Sequence, residues 1–379
     1  MSNQHAPHRL RSPALIPDQR SGDWGVDLPT IPRRRVVAFV PAHNEQDEIA
    51  STIESLLAQS MPVARIVVIA DNCTDRTVEI ARRYPVTVFV TDGNSDKKAG
   101  ALNQAFTRLL EAFEPDDAIL VMDADTALDP DFIKNAMVYV KEGYAAVGGT
   151  FTGRGGGGFV GMLQRNEYAR YSRDVSRRHG KALVLTGTAT VFEVQALHAV
   201  VAARQSGALP GTDNVYDIRV LTEDNELTLA LLHLGWPIIA PAECVMTTEV
   251  MDTWGALYRQ RLRWKRGALE NLVDYGLTRI TLRYWLRQAW TFLGLLVTAA
   301  YLLSIVLSVI AIGSIRIHPI WLGVTLIFAA ERVITVRSRG LGQMLLSALL
   351  VVEMPYDMYL QAVHLRAVFD AITRRQGNW

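Results

Sequence analysis

The sequence predicts an α/β fold on a mostly parallel sheet, followed by helices of a different character. Two observations carry the first part: β-branched apolar runs alternate with amphipathic stretches over the first 120 or so residues, and each run ends in a polar loop. A third carries the second part, because from about residue 285 long apolar stretches replace the polar loops.

The run over 35–41 ends in VVAFVP and leads into an amphipathic stretch over 45–59, which reads as strand, loop, helix. The pattern repeats with ARIVVIA over 64–70, a polar loop over 71–77 and a helix over 78–83. A third strand is predicted over 86–90, a helix from about 100 to 113, and a strongly apolar strand over 118–122. Ligands of open α/β sheets sit outside the carboxyl ends of the strands. Here those ends carry Pro41, Ala42, His43, Asn44 and Glu45, then Asp71 to Asp75, then 92–98 with Lys97 and Lys98, and finally Asp123 and Asp125. Carboxylates, amides and lysines on four successive strand ends predict one composite nucleotide site.

Composition bounds the rest. With 379 residues, 49% of them hydrophobic, the chain accommodates one large domain plus a membrane attachment. The 39 Lys+Arg against 38 Asp+Glu give no basic surplus, so no nucleic-acid partner is expected. Cys73 and Cys244 lie far apart, without His or Cys partners at metal-ligand spacing, and read as buried thiols of a reducing compartment. Residues 1–33, rich in Pro, Arg, His and Ser, lack the apolar core of a signal peptide and read as a disordered arm.

The predicted organisation is therefore an arm over 1–33, a large α/β domain over 34–275 and a membrane region over 276–379. Residues 289–315 hold no charge, more than the roughly 20 residues that span a bilayer. Spans are expected near 289–313 and 319–336; a third apolar stretch near 341–361 carries Glu353, Pro355 and Asp357 and is interfacial, re-entrant or spanning. Arg259, Arg261, Arg263, Lys265, Arg266, Arg279, Arg283 and Arg287 precede the first span, which predicts a multi-pass cell-membrane protein with its large domain in the cytoplasm.

Asp123-Ala124-Asp125 places two carboxylates on one turn, a donor set that suits Mg2+ or Mn2+ held against a diphosphate, although a solvated acidic turn has the same sequence. Thr222-Glu223-Asp224 reads either as a functional acid or as a helix N-cap with acidic first-turn residues. Gln260 to Trp264 reads either as a site element or as a basic interfacial helix. In order, Asp71, Lys98-Ala99-Gly100-Ala101-Leu102-Asn103, Asp123-x-Asp125, Thr222-Glu223-Asp224 and Gln260-Arg261-Leu262-Arg263-Trp264 resemble inverting glycosyltransferases of family 2, in the membrane-synthase branch that makes cellulose, chitin, hyaluronan and poly-N-acetylglucosamine.

The resemblance implies a GT-A type fold and transfer from a UDP-sugar to a glycan or membrane-lipid acceptor. Pro41, Ala42 and Glu45 would border the nucleotide, Asp71 would hold the uracil, and Lys98 would approach the base or phosphates. Asp123 would contact the nucleotide, Asp125 would ligate the metal, and Asp224 would be the general base. Glu223, Gln260, Arg263 and Trp264 would lie against the diphosphate and acceptor. Unlike the large synthases, the chain has no span before Arg35, so a secreted polymer would require a homo-oligomer or a secretion partner. Single-sugar transfer to a lipid and a catalytically silent nucleotide-binding scaffold are the alternatives; the intact Asp125 and Asp224 speak against the scaffold. The glycine-rich stretch over 153–158 is either a mobile loop near the acceptor or a plain linker, and 186–188 (TGT) occupies the place of an acceptor loop.

Overall fold

The structure, a computed structural model, describes residues 35–312 and 319–373; the expected arm over 1–33 lies outside the described residues. The chain begins with β1 (Val36–Ala42), α1 (Ile49–Leu57), β2 (Arg65–Ala70), α2 (Thr77–Ala81), β3 (Thr87–Val90) and α3 (Lys97–Leu109). It continues with β4 (Ala118–Met122), β5 (Ala127–Leu128), α4 (Phe132–Lys141), β6 (Ala146–Gly148), β7 (Thr150–Gly153) and α5 (Gly158–Arg177). Next come β8 (Ala189–Glu193), α6 (Val194–Gln205), α7 (Glu223–His233), β9 (Ile238–Ile239) and β10 (Val245–Thr248). Five helices close the described chain: α8 (Trp254–Tyr275), α9 (Leu282–Ile312), α10 (Pro319–Val336), α11 (Leu341–Ala348) and α12 (Leu350–Ile372).

Among the described residues the main sheet has seven strands in the order β3-β2-β1-β4-β8-β6-β9. β3, β2, β1 and β4 run parallel, and only β8 opposes its neighbours. β1 shows why the apolar runs are continuous rather than alternating. Successive side chains point to opposite faces, and both faces are covered: Val37 and Phe39 join one core with Leu102 and Phe106 of α3, while Val36, Ala38 and Val40 join a second core with Ile49 and Ile53 of α1. Because β8 is antiparallel to β4, its N-terminal end arrives at the edge where β1 to β4 finish. That places residues 186–188 beside the four polar loops.

A smaller sheet, β5-β10-β7, flanks this edge. α3 starts at Lys97, three residues earlier than expected, so Lys98 stands in the first turn of a helix rather than in a loop. Gly100 permits this early start: a Cβ there would lie 2.1 Å from Asn94 Oδ1 and 2.7 Å from Asp96 Cβ. The glycine-rich stretch forms the turn into α5, with Gly157 at φ 65° packed against Val250 and Gly161, and Arg165 donating to the carbonyls of Arg154 and Gly156.

Helices occupy both expected spans, as α9 and α10. Among the described residues no helix is long and apolar enough to cross a membrane; residues 313–318 and several side chains of α9 and α10 stand outside that description. The third apolar stretch is two helices, broken at Leu349. Its charges are partnered: Glu353, 1% exposed, accepts from Arg170, Asn166, Ser347 and Arg332, and the half-buried Asp357 pairs with Arg332. α12 thus lies against α5 and α10 through ion pairs that an isolated bilayer helix could not supply.

α7 is fixed by a buried charge network. Arg204 of α6 pairs with Glu226 of α7 and donates to the carbonyls of Asn214 (2.6 Å) and Val215 (2.9 Å). Glu226 also accepts from Tyr275 of α8 at 2.7 Å. Removing one partner of a buried pair leaves the other charge uncompensated and costs about 3–5 kcal/mol. Arg204→Ala is therefore expected to lower unfolding free energy by about that amount, measured by denaturant unfolding of the purified protein. A loss under about 0.5 kcal/mol, the scale of a surface substitution, would contradict it.

Candidate active site

The polar edge of the sheet divides into three groups of side chains. At the end of β2, Asp71 is buried and its Oδ1 accepts from Thr91 Oγ1 (2.8 Å), Asn94 Nδ2 (2.8 Å) and Asn72 Nδ2 (3.1 Å). Three donors on one oxygen fix the carboxylate's orientation. Asn44, Asn72 and Lys97, which follow β1, β2 and β3, have φ of 58°, 49° and 54°. Such left-handed conformations in non-glycine residues are strained and concentrate in functional loops.

The second group is acidic. Asp123 and Asp125 follow β4, Glu45 follows β1, and Glu249 follows β10. Glu249 belongs to no motif in the sequence; strand pairing reveals it. β10 runs antiparallel to β5 with Thr247 opposite Ala127, and extending that register by two residues sets Glu249 opposite Asp125. Burial raises the Glu45 carboxyl to about 7, assisted by Asp125, Glu249 and Asp123. Burial and then Asp123 raise Asp125 to about 6. Arg154, in the turn after β7, pairs with Glu48 and donates to the Asp125 carbonyl at 3.0 Å, so its charge goes to Glu48 rather than to the acidic group.

The third group surrounds Lys98. Its Nζ pairs with Asp123 Oδ1, lies 3.5 Å from Glu223 Oε1 and donates to the Gly187 carbonyl at 3.3 Å. Burial opposes the ammonium charge, but Asp123 and Glu223 outweigh burial and hold the pKa above the ordinary lysine value. Gly187 N donates to Asp224 Oδ2 at 2.8 Å, and the amide of Asp123 donates to the Thr188 carbonyl at 3.0 Å. The 186–188 loop therefore joins Lys98, Asp123 and Asp224. Burial and then Glu223 raise Asp224 to about 6. Thr222 does not cap α7 with its side chain; its hydroxyl and carbonyl instead accept from Asn271 of α8.

The structure thus brings Lys98, Asp123, Glu223 and Asp224 together, and Glu45 and Asp125 beside Asp123. Pro41 and Ala42 end β1 against Ile69 and Ala70 of β2, one residue before Asp71. In α8 the deeply placed side chain is Arg261, which pairs with Glu167 at 2.9 Å and lies 4.4 Å from the Trp264 ring centroid. Gln260 Oε1 accepts from Arg261 at 2.8 Å, while Arg263 and Trp264 are exposed. Among the described residues no hydrogen bond or ion pair joins Gln260, Arg263 or Trp264 to Lys98 or Asp224. Among the described residues no three or more His, Cys, Asp or Glu side chains are placed to hold a metal ion by themselves.

Comparison with known proteins supplies the family. Poly-beta-1,6-N-acetyl-D-glucosamine synthase of Staphylococcus aureus (strain MSSA476) is 26% identical over 262 residues, covering 66% of this chain and 58% of that protein. The synthase of the same description from Staphylococcus epidermidis is 26% identical over 250 residues, 62% of this chain and 55% of its own length. The chain spans little more than half of these curated relatives. Among solved structures, mannosyltransferase PcManGT from Pyrobaculum calidifontis, in complex with GDP-Man and Mn2+, superposes with a TM-score of 0.58 at 18% identity, over 91% of this chain and 88% of that one. That likeness shows the shared GT-A-like fold. Residues 32–267 match the family described as "Glycosyltransferase like family 2", and the chain accordingly belongs to glycosyltransferase family 2.

Proposed function

We propose that this family 2 enzyme moves a sugar from a UDP-sugar to a hydroxyl of a glycan or membrane-associated acceptor with inversion, forming a β-linked product. The observation that carries the proposal is the position of Asp224: a half-buried carboxylate raised to about 6, fixed by the Gly187 amide and joined through that loop to Lys98 and Asp123. A raised but ionised carboxylate suits proton abstraction near neutral pH.

In this reading Asp71, with Pro41 and Ala42, borders the uracil and ribose, and Lys98 and Asp123 lie toward the phosphates. As the acceptor oxygen bonds to the anomeric carbon, the bond from that carbon to the UDP oxygen breaks and Asp224 takes the acceptor proton. Glu223 keeps the Lys98 ammonium in place, while Gln260, Arg263 and Trp264 bound the acceptor side; Trp264 presents an exposed ring face on which a sugar can stack.

A divalent cation fits the acidic group. Burial first, and then the neighbouring carboxylates Asp123, Asp125 and Glu249, oppose ionisation of Glu45 and Asp125, and a bound cation would offset that repulsion. Mg2+ and Mn2+ take few protein ligands when a diphosphate supplies further oxygens. Asp125 would hold the ion, with Asp123 and Glu249 beside it. When bound, it would neutralise charge on the departing diphosphate.

The catalytic domain over 34–275 and the membrane region over 276–379 are part of the same proposal. Its support is the apolar surface of α9, where Trp290, Leu296, Val297 and Ile310 are each at least 61% exposed, next to the basic residues that precede it. In this reading the sheet domain lies on the cytoplasmic face.

Transfer is tested by incubating the purified protein with radiolabelled UDP-N-acetylglucosamine, UDP-glucose and GDP-mannose; use of GDP-mannose alone would contradict the uridine reading. Asp224→Asn is expected to keep UDP affinity and thermal stability within a few fold while turnover falls about 100- to 10,000-fold. A folded variant that transfers sugar at the wild-type rate would remove Asp224 as the base. Chelation by EDTA is expected to abolish transfer, with Mn2+ or Mg2+ restoring it, and Asp125→Asn is expected to weaken Mn2+-dependent UDP binding in calorimetry. Full activity and unchanged UDP binding in excess chelator would contradict the metal role.

A further inference from the structure

On α8, Gln260 is half-buried and Trp264 is exposed, and the side chain that touches both is the buried one beside them. Arg261, 2% exposed, donates from Nη1 to Gln260 Oε1 at 2.8 Å, and its guanidinium lies over the Trp264 ring at 4.4 Å from the centroid. A cation over an aromatic face fixes the ring as well as the cation. Trp264 is thereby covered on one side and remains 37% exposed on the rest. The position of Arg261 sets the positions of both neighbours.

That position is set in turn by two residues on other helices, neither of which belongs to a motif in the sequence. Glu167 Oε2, on α5, accepts from Arg261 Nη2 at 2.9 Å and from the Tyr356 hydroxyl of α12 at 2.6 Å. Arg261 Nε is buried without a partner, so among the described residues Glu167 is the one acid that holds the guanidinium. Burial opposes the Glu167 charge, but Arg261 and then Tyr356 outweigh burial and keep the carboxyl below the ordinary glutamate value. Tyr356, 1% exposed, has no room to turn away. One turn earlier, Glu353 ties α12 to Asn166 (2.9 Å) and Arg170 (2.6 Å) of α5, and one turn later Tyr359 donates to the Trp254 carbonyl at 2.8 Å, where α8 begins. The phenol restrains the carboxylate, the carboxylate restrains the guanidinium, and the guanidinium restrains Gln260 and Trp264.

We propose that Glu167 and Tyr356 are positioning residues for sugar transfer, which act through Arg261 to hold Gln260 and Trp264 in the orientation that receives the acceptor. This rests on the acceptor-side reading of Gln260 and Trp264 above and adds to it two residues from outside the site. It also makes α12, the last described helix, a brace for the reaction, because its tyrosine completes the chain of contacts that ends at Trp264.

The test uses the full chain, native membranes as the source of acceptor, and whichever of the three radiolabelled nucleotide sugars the wild type uses. Glu167→Gln is expected to lower transfer about 10- to 100-fold, and Tyr356→Phe about 3- to 10-fold, as loss of orientation does. Donor KM and UDP affinity in calorimetry are expected to stay within about twofold of the wild type. Because the contacts act through one ring, adding Glu167→Gln to Trp264→Ala is expected to cost less than about threefold more. Glu167→Gln leaves a buried guanidinium without its counter-charge, so where that variant does not fold, Tyr356→Phe, which keeps the ion pair, decides the outcome. Losses that multiply in full in the double variant, or UDP affinity that falls in parallel with transfer, would overturn the positioning role in favour of plain packing. Trp264→Ala impaired with Glu167→Gln and Tyr356→Phe at the wild-type rate would overturn it while leaving the acceptor-side reading intact. Trp264→Ala at the wild-type rate, or a wild type that transfers from none of the three donors, would remove that reading and the positioning role together.

Discussion

The Lys98 ammonium is the charge on which the site depends. It stands between Asp123, at the end of a central strand, and Glu223, at the start of α7, and also donates to the Gly187 carbonyl. Without it Asp123, Glu223 and Asp224 would be three like charges facing one another with no compensating ammonium. With it, carboxylates from different elements are held together at one edge. α3 supplies Lys98 from its first turn, and Gly100 lets that turn approach the Asn94 loop.

The antiparallel β8 gives the edge its second function. Four parallel strands alone would present four loops, as in any open α/β sheet. Reversing one strand brings the 186–188 loop to the same edge, where its backbone orders Asp123, Lys98 and Asp224 without contributing a charged side chain. α7 is in turn secured from behind by Arg204, Glu226 and Tyr275, and by Asn271 on Thr222 and Asn225. The buried network and the site carboxylates are therefore parts of one helix, which ties the position of Asp224 to core packing.

Much of this was legible in the sequence, because strands buried on both faces read as unbroken apolar runs and their polar ends mark one edge. The runs at 64–70 and 118–122 become β2 and β4, with at most one residue of difference at an end. What could not be read depends on pairing between distant segments. Glu249 has no motif and meets Asp125 only through the register of β10 on β5. Arg261, within a motif whose named members were Gln260, Arg263 and Trp264, is the residue that the fold buries, because Glu167 and Tyr168 lie on the facing helix. The stretch near 341–361 looked ambiguous because hydropathy sees Glu353 and Asp357 but not Arg170 and Arg332, their partners on other helices.

The central claim is that Asp224 must be ionised for transfer while Lys98 and the donor-side acids keep their places. The most direct measurement is the pH dependence of turnover at saturating donor and metal, compared between the wild type and the residual activity of Asp224→Asn. A base raised to about 6 is charged above that pH and protonated below it. Wild-type turnover should accordingly level off above about pH 7 and fall close to tenfold per pH unit below about pH 5, with that step absent from the Asn variant. Turnover that stays flat from pH 5 to 8, or an identical step in both proteins, would contradict the account.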